Sequence, residues 1–182
     1  MITDRAYVEE NKQSILNAIL NGSILIYPTD TIYGIGCNAL NSASVLKIRQ
    51  IKQRGIKPFS VIAPNHEWIL HRCITNNQTI NYIQKLPGPY TLIINLINGH
   101  DIPDEVNPIG NGTIGVRIPY HWFAEVIKEA GVPFITTSVN ISGMPYMTSL
   151  ETLDETIKNN VDFIIYEGEI NGRESTKIDL TQ

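Results

Sequence analysis

The feature that most restricts this chain is an alternation along its length. Short apolar runs rich in β-branched residues are separated by segments whose apolar residues recur at helical spacing. The strand-like runs are 23–27, 59–63, 90–97, 113–118, 134–137, 163–166 and 177–180. A first helix is predicted over about 4–20, with Val8, Ile15 and Ile19 on one side and Gly22 as its stop. A second starts at Asn41 or Ser42, both good caps, and ends at Gly55. Others cover about 67–74, 78–86 and 121–130, the last stopped by Gly131. A final one runs to about 160 and opens on a capping box at Thr148-Ser149-Leu150-Glu151. PTDTIYGIGCNA, residues 28–39, reads as a long loop. About seven strands alternating with helices predict an α/β chain, and the apolar strands predict a sheet covered by helices. No repeat, linker or low-complexity tract interrupts it, so one domain over 1–182 is expected.

With 42% hydrophobic and 18% charged residues the chain can build a core and is not compositionally disordered. Cys37 and Cys73 lie far apart and outside any CxxC pattern, which argues against a disulfide framework or a cysteine zinc site. The polar start MITDRAYVEENKQ reads as neither a signal nor a transit peptide, and no apolar run approaches the roughly 20 residues of a membrane span. The expectation is a soluble cytoplasmic protein with no membrane association.

Charge is unevenly placed. Between Thr31 and His100 there are seven Lys or Arg and one acid, a net of +6 in a chain whose total is −4. Five of those cations fall within KIRQIKQRGIK, residues 47–57. Cations at a helix end are favoured by the macrodipole, which would make this a solvated face. At 100° per residue Lys47 fits that reading. Arg49 and Lys52 instead fall on the side of Val45 and Ile48, as cations of a cleft wall or of long side chains snorkelling out would.

Four further clusters stand out. Residues 136–143, TTSVNISG, end a strand in small hydroxyl and amide groups, where α/β sheets place ligands, though such a loop can also stabilise itself. Residues 27–34, YPTDTIYG, follow another strand, with Asp30 as a metal or amine partner or a turn residue. Thr113 and Arg117, four apart in a strand, share a face, and Arg117 suits either a bidentate grip on a carboxylate or an ordinary salt bridge. The last is 172–176, GREST. His66, His71, His100 and His121 are scattered, without HExxH, and neither Ser138 nor Ser142 sits in GxSxG, which argues against a hydrolase triad or a histidine metal site. The GxGxxG at 110–115 follows a polar, proline-containing segment and precedes strand-like VRIP, so it reads as a loop or hairpin and not a dinucleotide site.

Taken in order, YPTDTIYGIG, the KxR of Lys52-Gln53-Arg54, PGPYTL, TIGVRIPYH, the SxN of Ser138-Val139-Asn140 and GRESTKID resemble the YrdC/TsaC family of L-threonylcarbamoyladenylate synthases from about Ser23 to Asp179. The resemblance implies a twisted, mixed parallel and antiparallel sheet flanked by helices and curved around a basic concave cleft. It implies a nucleotidyltransferase that forms threonylcarbamoyl-AMP and pyrophosphate from ATP, L-threonine and bicarbonate or CO2. Downstream transfer proteins would then modify tRNAs reading ANN codons. It assigns Lys52 and Arg54 to catalysis. It places Lys52, Arg54, Thr113, Asn140 and Thr148 around the nucleotide, and Thr31, Arg117, Ser138 and Ser175 around threonine. Mg²⁺ would be held mainly by ATP, with no protein metal cage.

The chain departs from the pattern in places. Asp30 stands where Glu is common, Ile62 where some members carry histidine, and Lys177 where the residue after EST is usually apolar; the last strand is close to Gln182, as in the family's short form. A non-catalytic RNA-binding module using the same cleft, with weak tRNA binding, is the alternative; the acidic chain and the absence of an RNP1-type aromatic motif speak against it. A carbamoyl-transfer module like that of hydrogenase-maturation proteins would need further domains.

Overall fold

The computed structural model describes residues 1–181; Gln182, the last residue of the expected domain, lies outside the described residues. In chain order the elements are β1 (Ile2–Thr3), α1 (Arg5–Glu10), α2 (Lys12–Leu20), β2 (Leu25–Tyr27), β3 (Gly34–Gly36), α3 (Ser42–Ile51), β4 (Ser60–Ile62), α4 (His66–Arg72), α5 (Asn77–Ile83), β5 (Tyr90–Asn95), β6 (Thr113–Arg117), α6 (Phe123–Ala130), β7 (Phe134–Ser138), a 3-10 turn (Leu150–Thr152), α7 (Glu155–Lys158), β8 (Phe163–Ile165) and β9 (Thr176–Asp179). The strands form one sheet in the order β1-β8-β2-β3-β7-β4-β6-β5-β9. Pairing is mixed: β1·β8, β2·β8, β4·β6 and β5·β9 are parallel, and β2·β3, β3·β7, β4·β7 and β5·β6 antiparallel. The expected mixed α/β architecture is what the chain adopts.

Strand alternation sorts the side chains between two cores. Ile26, Val61, Leu92, Ile94, Ile114, Val116, Ile135 and Ile164 enter the larger one, with Val45 and Ile48 of α3, Ile69 of α4 and Ile83 of α5. Tyr27, Ile62, Phe134 and Ile165 face the other way, under Val8, Ile15 and Ile19 of α1 and α2 and Phe123 and Ile127 of α6. On that second face the covering helices serve β8, β2, β7 and β4. Over β6, β5 and β9 the same face carries Arg117, Thr91 and Lys177, which border a cleft. One sheet face is therefore apolar and roofed at one end, polar and open at the other.

Several boundaries differ from expectation for local reasons. The predicted first helix is broken at Asn11, whose Nδ2 donates to the Tyr7 carbonyl and competes with the backbone for it. α3 stops at Ile51, not Gly55, because Gln53 takes the left-handed position at φ 49°. The expected capping box at 148–151 is built one residue later, with Thr152 Oγ1 accepting from the Thr148 and Ser149 N–H groups, and it opens a 3-10 turn before the separate, Asp154-capped α7. The GxGxxG segment does lead from a loop into β6 rather than opening a helix.

β3 lies inside the segment expected to be a loop. It is three residues long with two glycines, too poor in side chains to show as a strand, yet it is paired on both sides. Gly36 makes this possible: a Cβ there would sit 1.8 Å from the Ile135 carbonyl oxygen. Gly36→Ala is expected to separate β3 from β7 at the centre of the sheet and to cost more than about 4 kcal/mol. Soluble yield and urea unfolding check this; a variant within about 1 kcal/mol of wild type would show that the sheet can open there.

Candidate active site

The polar end of the sheet forms a solvent-open cleft. Its floor and walls are largely hydroxyls and cations: Ser60, Thr91, Thr136, Thr137, Ser138 and Ser175 with Arg54, Arg117 and Lys177, against one lining carboxylate, Glu174. Of the residues singled out in sequence, Arg54, Arg117, Ser138 and Ser175 line it directly. Thr31, Lys52 and Asn140 are one hydrogen bond behind that lining.

Arg117 projects from β6 and is 5% exposed. Its Nη2 donates to Asp30 Oδ1 at 2.5 Å and its Nη1 to Thr31 Oγ1 at 3.2 Å, while its buried Nε has no partner among the described residues. Asp30 Oδ2 accepts from the Tyr120 N–H at 2.9 Å. Asp30 is thus the counterion of Arg117. Burial pushes the Arg117 pKa down and Asp30 opposes it. The 29–32 turn that presents Asp30 and Thr31 is self-bonded: Thr29 Oγ1 accepts from the Thr31 N–H and donates to the Ile32 carbonyl. Gly172 lets the GREST segment cross directly over this turn, since a Cβ there would meet the Thr31 carbonyl oxygen at 1.6 Å. That crossing delivers Ser175, whose hydroxyl is hydrogen-bonded to that of Thr91 at 2.6 Å.

The basic stretch divides by role. Lys47 and Lys57 are exposed. Arg49 is buried and donates to the carbonyls of Gly55, Lys57, Glu105 and Val106, with Phe59 under its guanidinium at 4.4 Å. It builds the loop and does not reach the cleft lining. Lys52, 1% exposed, sends its ammonium to the Ser138 carbonyl at 2.5 Å, the Asn140 carbonyl at 2.7 Å and Asn140 Oδ1 at 3.0 Å. Asn140 Oδ1 also accepts from Ser138 Oγ at 2.7 Å. All three ammonium protons therefore have acceptors within the protein, and Lys52 clasps the 138–140 loop from beneath. Burial, with Arg54 nearby, pushes its pKa down to about 7, and Glu174 opposes the shift. Arg54 turns its guanidinium into the cleft, donating to the Lys57 and Pro58 carbonyls and to Thr137 Oγ1 at 3.4 Å.

Thr113 and Thr148 are not among the cleft-lining residues. Thr113 shares the face of Arg117 but lies at the far end of β6, where its hydroxyl donates to Asn111 Oδ1 and it borders a second cavity with His100 and Asn107. Thr148 stands in the turn after the 138–147 loop. Ile62 belongs to the core with Tyr27, Phe123 and Phe134 and is fully buried, so it offers the cleft nothing. Sequence reasoning did not single out Ser60 and Thr91. Their signal was present as alternation, each a hydroxyl residue flanked by apolar neighbours in a strand. Among the described residues no group of three His, Cys, Asp or Glu could hold a metal ion, and no helix is long and apolar enough to cross a membrane.

A family model for Sua5/YciO/YrdC, described as "Telomere recombination", matches residues 17–182. The chain belongs to this family. A relative from Methanocaldococcus jannaschii is 38% identical over 164 residues, covering 86% of this chain and 75% of its own. The threonylcarbamoyl-AMP synthase of Vibrio parahaemolyticus is 29% identical over 174 residues, covering 91% and 90%. In structure, Pyrococcus abyssi Sua5 complexed with L-threonine superposes with a TM-score of 0.87 at 29% identity, over all of this chain and 55% of that one. The chain thus spans little more than half of that longer relative.

Proposed function

We propose that this family member is a threonylcarbamoyl-AMP synthase, a nucleotidyltransferase joining L-threonine, bicarbonate and ATP. The carrying observation is that two guanidiniums line one hydroxyl-rich cleft, Arg117 backed by Asp30 and Thr31, and Arg54 hydrogen-bonded to the Lys57 and Pro58 carbonyls. Relatives named for this activity, and a structural neighbour complexed with L-threonine, support the reading. Threonine's amine takes up bicarbonate to give a carbamate and water. A carbamate oxygen attacks the α-phosphorus, and pyrophosphate leaves. Attacker, phosphates and leaving group are all anionic, so the site must neutralise charge and align reactants rather than supply a nucleophile.

In this reading Arg117 takes the threonine carboxylate, with Thr31, Ser138 and Ser175 around the rest of the molecule. Arg54 meets the phosphates. Lys52 acts on them through its charge and by holding Asn140 in place. Thr113 and Thr148 lie beyond the cleft lining, and this reading gives them no contact. A single free cleft carboxylate, Glu174, does not make a protein-built metal site; Mg²⁺ fits as an ion brought in by the triphosphate and water. A cytoplasmic setting and downstream tRNA-modifying transfer proteins complete the proposal.

Pyrophosphate release with ATP, Mg²⁺, bicarbonate and L-threonine, each omitted in turn, tests it. Release should require threonine and bicarbonate. Background release from folded protein that binds RNA would favour the binding-module alternative. Arg117→Ala should raise the threonine requirement roughly 10- to 100-fold, the worth of a charged hydrogen bond, and the ATP requirement far less. Equal effects on both would remove its carboxylate role.

A further inference from the structure

Lys177 is the one cleft cation that the reading above leaves without a task, and its position is specific. It lies on β9, an edge strand paired in parallel with β5, directly opposite Thr91. Ile178 packs against the larger core, so Lys177 projects from the other face, into the cleft it lines. The β5·β6 register, with Leu92 opposite Val116, sets Thr91 beside Arg117. Arg117, Thr91 and Lys177 therefore make one cross-strand row, its ends two strand spacings or about 9.5 Å apart.

The two cations differ in compensation. Arg117 carries its own counterion, Asp30. Lys177 makes no side-chain hydrogen bond or ion pair among the described residues. Asp30 is held by Arg117, and Asp179, on the same face of β9, accepts from the Thr181 N–H and hydroxyl; neither it nor the cleft carboxylate Glu174 forms an ion pair with Lys177. Threonine that has taken up bicarbonate bears two carboxylate groups. The Arg117–Asp30 pair, near neutral as a unit, can orient one of them but supplies little net charge for a dianion. An ammonium without an ion-pair partner at the other end of the same row adds a positive charge there that most relatives, apolar at this position, lack.

We propose that Lys177 binds the bicarbonate-derived carboxylate, holding the carbamate of threonine at the end of the row opposite Arg117. This rests on the synthase reading and adds the residue that would handle its third substrate. An edge-strand lysine serving only to discourage strand addition would have no such effect, and a lysine on the triphosphate would have a different one.

The test is Lys177→Met, which removes the charge and keeps the length, with Lys177→Arg as the charge-retaining control. Because Lys177 is exposed, thermal unfolding should match wild type. In pyrophosphate release, Lys177→Met should need at least about tenfold more bicarbonate for half-maximal rate, a change of about 1.4 kcal/mol. ATP dependence should be unchanged, and Lys177→Arg should restore most of the loss. Unchanged bicarbonate dependence, or a rise confined to ATP, overturns the assignment. Calorimetry separates it from the synthase reading: bicarbonate should tighten threonine binding to wild type and not to Lys177→Met. That difference in a protein without threonine-dependent release would sink the enzyme reading and keep the site. Its absence would sink the site.

Discussion

Lys52→Ala is expected to lower stability and activity together. The side chain is fully buried, so truncation removes packed methylenes worth about 0.8 kcal/mol each and leaves three carbonyl-type oxygens short of a donor. Relief of the ammonium's desolvation offsets part of this, and a net loss of about 3 kcal/mol is expected. Ser138 and Asn140 lose their common anchor, so pyrophosphate release should fall at least about 100-fold even where the variant is folded. Lys52→Met separates the two effects, since it keeps most of the packing: urea unfolding should show a smaller loss while the rate stays low. Wild-type turnover in Lys52→Met would mean that the clasp is purely structural.

Arg54→Ala is expected to behave differently, losing activity by about 10²- to 10³-fold while remaining folded. Its acceptors within the protein are carbonyls of a surface loop and one long contact to Thr137, so its structural contribution is modest, about 1 kcal/mol. Its place in the cleft is what the reaction would miss, because phosphate charge on that wall would face only the occupied ammonium of Lys52. The loss should appear in kcat, and in the ATP requirement more than in the threonine requirement. A rate within threefold of wild type would move the phosphates elsewhere in the cleft.

These contrasting expectations show how much of the site could be read in advance. Helical spacing put Arg49 and Lys52 on the packing side of α3, and both are buried. Spacing could not separate their tasks, because acceptors that distinguish them lie far along the chain: residues 105 and 106 for Arg49, beside the nearby Gly55 and Lys57, and 138 and 140 for Lys52. Asp30 was open between metal, amine and turn, and closed only when β6 brought Arg117 against it across 87 positions. β3 went unseen because its partners, not its own side chains, make it a strand. Thr113 and Arg117 do share a face, but the length of β6 sets them at opposite ends of it, so only one lines the cleft.

What the sequence by itself determined was the alternation of strands and helices, the mixed α/β class, the family, and the residue types a charge-neutralising site requires. These follow from local periodicity and from ordered motifs, both carried by neighbours in the chain. Only the tertiary structure decided where the second sheet face loses its helices and becomes a cleft. It also decided which cations keep their charge free for a ligand. Those properties depend on strand order and on donors and acceptors more than eighty residues apart, and no local pattern encodes such distances.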